Sequence, residues 1–324
     1  MMRSANKYMK QTGKERFSYI ISNGGGIVLA FIAIFIIMIF ASPYFMTQNN
    51  LVSLLKSAVS TALLAYAMTF TLIVGEIDLS VSSMFAFGAM TCCWFMESGM
   101  SFALATALAL LLCMVLGVFN GFIVGFTKIP AFIVTLATQM SIRGIVYIIS
   151  GGQPITSRNP TFELIGSGKV WVFTYPIIIL IILTIVLGIV LKSTVYGGKI
   201  YACGGNRETA LFSGINTKGI VLSVFMISAV IAGIAGILSA SRLAQAQPTA
   251  GDGYEAEAIA AAVLGGTSFT GGRGSIPGTI VGAMVLALLQ NGMNLLGVDY
   301  NWQLVVQGML IIVAVYMDVA GRKD

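Results

Sequence analysis

The chain has 324 residues, of which 57% are hydrophobic and only 9% are charged, with a mean hydropathy of +0.92. A soluble domain is typically about 25% charged, so this composition excludes a soluble globular protein and indicates an integral membrane protein. The apolar runs are about 20 residues long and do not alternate, which is typical of membrane helices rather than of a β-barrel.

The net charge of +6 is not a sign of nucleic-acid binding, because the basic residues fall in short loops and tails, where they set membrane orientation. The chain contains no histidine, which removes the commonest general base and metal ligand. Its four cysteines have neither the spacing of a metal motif nor a setting that favours a disulfide. We therefore expect no catalytic residue, no metal site and no cofactor in this chain.

Ten apolar segments are predicted to cross the membrane, and the whole chain is predicted to be an all-α polytopic membrane protein. They cover residues about 24–42, 51–74, 79–97, 101–126, 130–150, 171–192, 219–240, 254–271, 275–296 and 302–319. This organisation predicts an N-terminal tail at 1–23, a transmembrane domain at 24–319 and a short C-terminus at 320–324. The first span is too long for the core of a typical signal peptide, so we expect no cleaved signal.

The distribution of cations predicts the orientation. With the N-terminus inside, the cytoplasmic cations are Arg3, Lys7, Lys10, Lys14, Arg16, Lys128, Lys192, Lys199, Arg207, Lys218, Arg273, Arg322 and Lys323. The outer side then holds only Arg158, Lys169 and Arg242. Cytoplasmic loops of membrane proteins carry an excess of Lys and Arg, so this bias predicts an even number of spans and two cytoplasmic termini.

Two glycine stripes suggest an internal repeat. The fourth span carries Gly117, Gly121 and Gly125, and the ninth carries Gly274, Gly278 and Gly282. Each stripe lets helix backbones come close. The two spans are five apart, and an odd number of spans per repeat inverts the second copy, as in inverted-repeat transporters. A chain with 37 glycines also produces such stripes by chance.

The stretch "VGEIDLSVSS" (Val74–Ser83) interrupts two apolar runs with carboxylates. At bilayer depth, each carboxylate would cost about 2.5–3.5 kcal/mol on insertion scales. A break there would make the third span a discontinuous helix with Asp78 or Ser80 as its N-cap and its amides facing a cavity. Glu76, Asp78 and Ser80 are then candidate pathway residues. The alternative is a tight connection at the cytoplasmic surface, in which Asp78 is only a cap.

The stretch "VLGGTSFTGGRGSIPG" (Val263–Gly278) holds six glycines and does not suit a robust continuous helix. Gly265, Gly266 and Thr267 are candidate pathway residues, because they combine unwound backbone with a hydroxyl group. The alternative is a flexible cytoplasmic hairpin. A phosphate-binding loop does not fit, since the Gly-Lys-Ser/Thr ending is missing.

The polar connection at 192–218 lies between spans six and seven and has the character of a partner-binding segment. Asn206 is a good N-cap and "RETALF" follows with helix formers. Gly214 offers a left-handed stop. We expect a short cytoplasmic helix that presents Arg207, Glu208 and Phe212 beyond the membrane surface. The alternative is a plain solvated loop.

Two further features lie among the apolar runs. The run from Ala244 to Glu257 is polar and is placed outside by this topology, where it suits a soluble partner or the mouth of a pore. Arg143 lies among apolar neighbours and is expected to pair with an interior acceptor or to extend toward the surface.

These motifs together resemble the ribose-type sugar permeases of ABC importers. "GEIDLSVSS" is similar to the family signature Gly-Gly-Ile-Asp-Leu-Ser-Val-Gly-Ser, and "YACGGNRETALFSGIN" resembles its cytoplasmic loop. "AVLGGTSFTGGRGSIPGTIVGA" is similar to its glycine-rich late segment. With "KIPAFIVTLATQMSIRGIVYIISGGQPI", the resemblance extends from about Leu51 to Met317.

The resemblance implies a permease that works as a homodimer or heterodimer in a bacterial inner membrane. It implies a cytoplasmic ATPase with two fused nucleotide domains, which alone uses ATP and Mg²⁺, and an extracytoplasmic binding protein that delivers a monosaccharide. The loop that docks on the ATPase is then a coupling helix. By position, this loop contains Gly204, Gly205, Asn206, Ser213, Gly214 and Ile215.

The chain departs from the family pattern at two positions. Glu76 stands where the commonest form has glycine, and Ser82 replaces another glycine. These changes affect the identity of the sugar more than the class of transporter. A branched-chain amino-acid permease of the same type and an ion-coupled secondary transporter are the alternatives.

Overall fold

The computed structural model describes residues 26–171 and 173–320 of the chain. The tail predicted at 1–23, with its five cations, lies outside the described residues, as do Arg322 and Lys323 at the C-terminus.

The described ranges form thirteen helices and four two-residue strands. The helices are α1 (Gly26–Ala41), α2 (Gln48–Ile73), α3 (Val81–Glu97), α4 (Phe102–Phe126), α5 (Ala131–Ser150), α6 (Pro160–Ser167), α7 (Tyr175–Ser193), α8 (Val195–Gly205), α9 (Arg207–Phe212), α10 (Thr217–Leu243), α11 (Tyr254–Leu264), α12 (Ile276–Leu295) and α13 (Tyr300–Ala320). Strand β1 (Ile155–Thr156) pairs antiparallel with β4 (Gln245–Ala246), and β2 (Lys169–Val170) pairs antiparallel with β3 (Phe173–Thr174).

The all-helical membrane class is confirmed. Among the described residues, six helices are long and apolar enough to cross a membrane, namely α2, α4, α5, α7, α10 and α12. The apolar helix α1 and the stretch Tyr300–Tyr316 of α13 are shorter. Each of the ten predicted segments contains one helix, but the number of complete spans stays a prediction.

Two predicted span boundaries differ from the structure, and so does the number of helices in one connection. The eighth segment was expected to run to 271, but α11 ends at Leu264, because Gly265 and Gly266 follow and Gly266 has a left-handed φ of 86°. The sixth was expected to begin at 171, but β2 and β3 occupy that stretch and α7 begins at Tyr175. The connection at 192–218 was expected to hold one helix, and it holds two, α8 and α9.

Helices α2 and α10 form the centre of the bundle. Every residue of α2 from Thr61 to Ile73 is buried. Helix α10 packs against α2, α3, α4 and α6, and helix α2 also packs against α11 and α12. The helices around this centre expose large apolar side chains, including Phe119 of α4, Ile148 of α5 and Ile182 of α7, as expected for a surface that faces lipid.

The helix contacts repeat in two halves of the chain. Helix α10 packs on α4 and α3, and in the same way α2 packs on α12 and α11. Helix α3 contacts α4 and α5, while α11 contacts α12 and α13. Exchanging α2–α5 with α10–α13 therefore maps these principal contacts onto one another.

Glycines of both stripes lie where backbones approach closely, as the sequence predicted. A β-carbon at Gly121 of α4 would lie 2.7 Å from the Cα atom of Leu222 in α10 and 2.8 Å from its carbonyl oxygen. On the ninth segment, a β-carbon at Gly278 would collide with the carbonyl oxygen of Gly265. Both contacts are with backbone atoms, which cannot move aside without moving a helix.

We predict that Gly121→Ala destabilises the protein by about 1–3 kcal/mol, because one added methyl group overpacks the α4–α10 contact. The measurement is thermal unfolding in detergent. Gly144→Ala on α5 is the matched control, since a β-carbon there meets nothing within 4 Å. Equal unfolding temperatures for the two variants would contradict the close α4–α10 packing.

Candidate functional site

A buried carboxylate lies in the connection between α2 and α3. Asp78 is 1% exposed. Its Oδ1 atom accepts hydrogen bonds from the backbone N–H of Ser80 at 3.0 Å and from the Ser80 hydroxyl at 2.5 Å. Its Oδ2 atom accepts one from the Ser228 hydroxyl of α10 at 2.8 Å. A buried carboxylate is tolerated only when it is hydrogen-bonded in this way, so these donors fix the start of α3 against α10.

The same network extends to two more helices. The amide of Asn120 in α4 donates to the Ser80 hydroxyl at 3.0 Å. The hydroxyl of Thr138 in α5 donates to the Asn120 amide oxygen at 2.7 Å. Ser80 is the N-cap of α3, although its side chain makes no capping bond. Asp78 is therefore buried within the protein and does more than cap a helix, because it also bonds to Ser228 of α10. Whether this connection lies at the cytoplasmic surface or at bilayer depth stays a prediction.

Glu76, two residues before Asp78, lies in a different environment. Its Oε1 atom is 2.8 Å from Nη1 of Arg207 on α9, with side-chain exposures of 16% for Glu76 and 41% for Arg207. Burial raises the pKa of the Glu76 carboxyl, and the Arg207 guanidinium opposes that rise. The residue that departs from the family signature thus contacts the predicted partner-binding helix.

Three connections meet at this end of the bundle, which we call the α9 end. The carbonyl oxygen of Ile73, at the end of α2, accepts a hydrogen bond from the backbone N–H of Gly272 at 2.8 Å. A β-carbon at Gly204 would collide with the same carbonyl oxygen. The Tyr201 hydroxyl donates to the carbonyl oxygen of Gly274 at 2.7 Å. The signature stretch, the glycine-rich stretch and α8 therefore touch one another.

The short helix α9 forms as the sequence predicted. The Asn206 side chain accepts a hydrogen bond from the backbone N–H of Thr209 at 2.8 Å, and Gly214 has a φ of 81°. The neighbouring Leu211 and Phe212 are 59% and 88% exposed. Glu208, Gly205 and Ser213 are also exposed, while Ile215 packs against the core. A pair of exposed apolar side chains on a short rigid helix is suited to docking against another protein.

The glycine-rich residues lie between α11 and α12. Gly265 contacts the backbone of Gly278, and Gly266 makes the turn that ends α11. Thr267 is fully buried, and its hydroxyl has no hydrogen-bond partner among the described residues.

Arg143 anchors a second connection in the interior. Its Nη1 atom donates to the carbonyl oxygens of Pro248 and Ala250, each at 2.8 Å, and its Nη2 atom lies 2.9 Å from Asp252. The same Nη2 atom also donates to the carbonyl oxygen of Ser82 in α3, at 3.3 Å. The expected interior acceptors of Arg143 are confirmed, and they bring the starts of α11 and α3 together.

A cavity of about 330 Å³ lies between α2, α11, α12 and α13. Its polar lining consists of Thr61, Asp252, Tyr254, Glu257, Gln290, Tyr300, Gln303 and Gln307. The sequence pointed only to Asp252 and Glu257, which belong to the run placed at a soluble partner or the mouth of a pore. The signal for the others was weak, because each helix contributes only one to three polar side chains and Thr61 of α2 is far from the rest in the chain.

The comparisons with known proteins identify the family. The family model described as "Branched-chain amino acid transport system / permease component" matches residues 50–315. The chain is 39% identical to the ribose import permease protein of Bacillus subtilis (strain 168), over 89% of this chain and 91% of that protein. It is 38% identical to the D-allose transport system permease protein of Escherichia coli (strain K12), over 89% and 90% of the two chains. No solved structure matches the chain.

The chain belongs to the monosaccharide permease family of ABC importers. A third relative, the L-arabinose ABC transporter permease protein of Azospirillum brasilense, is 34% identical over 93% of this chain and 89% of its own length. The permease is a multi-pass inner-membrane subunit of a transporter and not itself an enzyme.

In this permease we predict that Asp78→Ala lowers stability by several kcal/mol, because it strands buried donors that each cost about 1–3 kcal/mol when unsatisfied. Ser228→Ala, which removes one donor, should cost about 1 kcal/mol. The readout is unfolding temperature in detergent. Ser141→Ala, at an exposed serine of α5, is the control. An Asp78→Ala protein as stable as this control would show that the buried network does not hold the four helices.

Proposed function

We propose that this permease forms the membrane pathway by which an ATP-driven, binding-protein-dependent importer takes up a monosaccharide. The observation that carries the proposal is the likeness to ribose, allose and arabinose permeases over about nine-tenths of the chain. The proposal places two permease subunits side by side, an ATPase with two fused nucleotide domains on the cytoplasmic side and a sugar-binding protein outside.

The proposed topology has ten spans, an inverted repeat and both termini in the cytoplasm. The matching contacts of α2–α5 and α10–α13 support the repeat. Short helices such as α3 and α11, which begin after interior connections, are typical of transporters built from inverted repeats. The cations of the segment 192–218, which contains α8 and α9, support placing the α9 end on the cytoplasmic side.

In this proposal α9 is the coupling helix. Leu211 and Phe212 supply the exposed apolar contact with the ATPase, and Arg207 connects the helix to Glu76. The surrounding Gly204, Gly205, Asn206, Glu208, Ser213, Gly214 and Ile215 complete the docking segment. Because Glu76 follows α2 directly, a displacement of α9 would act on α2 and on the start of α3 together.

The pathway residues inferred from the sequence keep a role in the proposal. Asp78 and Ser80 hold the start of α3 in place, and Gly265, Gly266 and Thr267 form the break between α11 and α12. We propose that these two breaks shape the pathway. The two breaks meet at the α9 end, where the backbone N–H of Gly272 donates to the carbonyl oxygen of Ile73. The proposed coupling segment and the proposed pathway residues are therefore in contact.

The experiment for the proposed function is uptake by the permease reconstituted with its ATPase and binding protein in vesicles. We expect ATP-dependent accumulation of one or more of D-ribose, D-allose, L-arabinose and D-xylose. Leucine is included because the matching family model is described by branched-chain amino acids. Uptake of leucine alone would favour the amino-acid alternative, and uptake driven by an ion gradient without the ATPase would favour a secondary transporter.

The coupling proposal predicts a charge-swap pattern. A partly exposed ion pair contributes up to about 1 kcal/mol, so Glu76→Arg or Arg207→Glu alone should lower ATP-dependent uptake about fivefold. The double variant Glu76→Arg with Arg207→Glu should recover most of the loss, because it restores the attraction in the opposite sense. A double variant no better than the worse single variant would separate Glu76 from coupling.

A further inference from the structure

We infer that the cavity between α2, α11, α12 and α13 is a binding subsite for a neutral, polyhydroxylated ligand of monosaccharide size. Its volume of about 330 Å³ lies at the lower end of the range of roughly 300–1,000 Å³ found for small-molecule sites. The inference rests on the proposed sugar import. It places a sugar-binding subsite within a single subunit, beside the first turn of α11.

The polar side chains of the cavity match the chemistry of a sugar. Glu257 and Asp252 can accept hydrogen bonds from hydroxyl groups, and amide groups can both donate and accept. The side chains of Thr61 and Gln307 lie beside the Glu257 carboxyl and hold it between α2 and α13. The amide nitrogen of Gln303 is already bonded to Asn294 and Val298, each within 2.9 Å, so its oxygen remains as an acceptor.

The apolar part of the lining suits the carbon-bearing face of a sugar ring. It consists of Leu286, Leu289, Met293, Leu304, Leu310 and Ile311. A small number of placed polar groups with an apolar wall is the usual make-up of a small-molecule site.

The charges of the cavity disfavour an amino acid. Its described lining includes two acidic side chains and no lysine or arginine. Asp252 is paired with Arg143 at 2.9 Å, and the lining offers Glu257 no cation. The α-carboxylate of an amino acid would likewise find no cation in this lining, whereas sugar hydroxyls can hydrogen-bond to its carboxyl and amide groups.

Cysteine protection tests the subsite directly. Gly308 lines the cavity, and a β-carbon there meets nothing within 4 Å, so Gly308→Cys fits without strain. The native Cys92, Cys93, Cys113 and Cys203 are all buried, which keeps the background low. In the assembled importer, we expect the transported sugar to slow modification of Gly308→Cys by a small polar thiosulfonate reagent at least threefold. Leucine should give no protection.

Three variants sharpen this test. Gln153→Cys, at an exposed glutamine after α5, should react equally fast with and without sugar. In the Gly308→Cys background, Glu257→Gln and, separately, Gln307→Leu should raise the sugar concentration for half-protection about tenfold, since each variant weakens or removes a hydrogen-bond partner of the sugar hydroxyls.

The outcomes separate the inference from the proposed function. A wild-type importer that accumulates sugar while Gly308→Cys gains no protection would place the sugar elsewhere and overturn the inference alone. Protection that is unchanged in both Glu257→Gln and Gln307→Leu would also overturn it, because the assigned side chains would then make no site. Absence of ATP-dependent sugar uptake by the wild-type importer would instead count against the proposed function.

Discussion

The buried carboxylate of Asp78 is the constraint on which the inner bundle depends. A carboxylate buried in a protein is costly unless it is hydrogen-bonded, and this one is tolerated because three hydrogen bonds from Ser80 and Ser228 reach its two oxygens. Since the donors belong to the start of α3 and to α10, and Asn120 and Thr138 extend the network, one side chain fixes how four helices meet. Because Ser80, the N-cap of α3, supplies two of the hydrogen bonds to Asp78, these bonds determine where α3 begins.

The connection that carries Asp78 also reaches the protein surface. Glu76 contacts Arg207 of α9, while Asp78 lies in the core two residues later. The segment between them is short and tied at its start, because the backbone N–H of Glu76 donates to the carbonyl oxygen of Thr71 at 2.9 Å. The proposed coupling uses this short link, because it joins the contact with α9 to the start of α3 within a few residues.

The sequence predicted those features that depend on local chemistry. Apolar length predicted the helical membrane class, and Asn206 and Gly214 predicted both ends of α9. The features that were missed depend on contacts distant in the chain. The Glu76–Arg207 pair joins residues 131 positions apart, and the cavity collects side chains from four helices. Hydrophobic periodicity carries no information on such pairings, so only the three-dimensional arrangement of the helices reveals them.

The carboxylates near the starts of α3 and α11 lie in different environments, and this difference bears on where a ligand binds. Before α3, Asp78 is fully satisfied by protein donors. Before α11, the equivalent element in the pattern of contacts, Asp252 is paired with Arg143, and Glu257 in the first turn lines a cavity. The matching helix contacts give two similar frameworks, and the cavity of about 330 Å³ lies beside the first turn of α11 in the second. Ligand contact is therefore expected in the second half, while the first half serves to hold the bundle together.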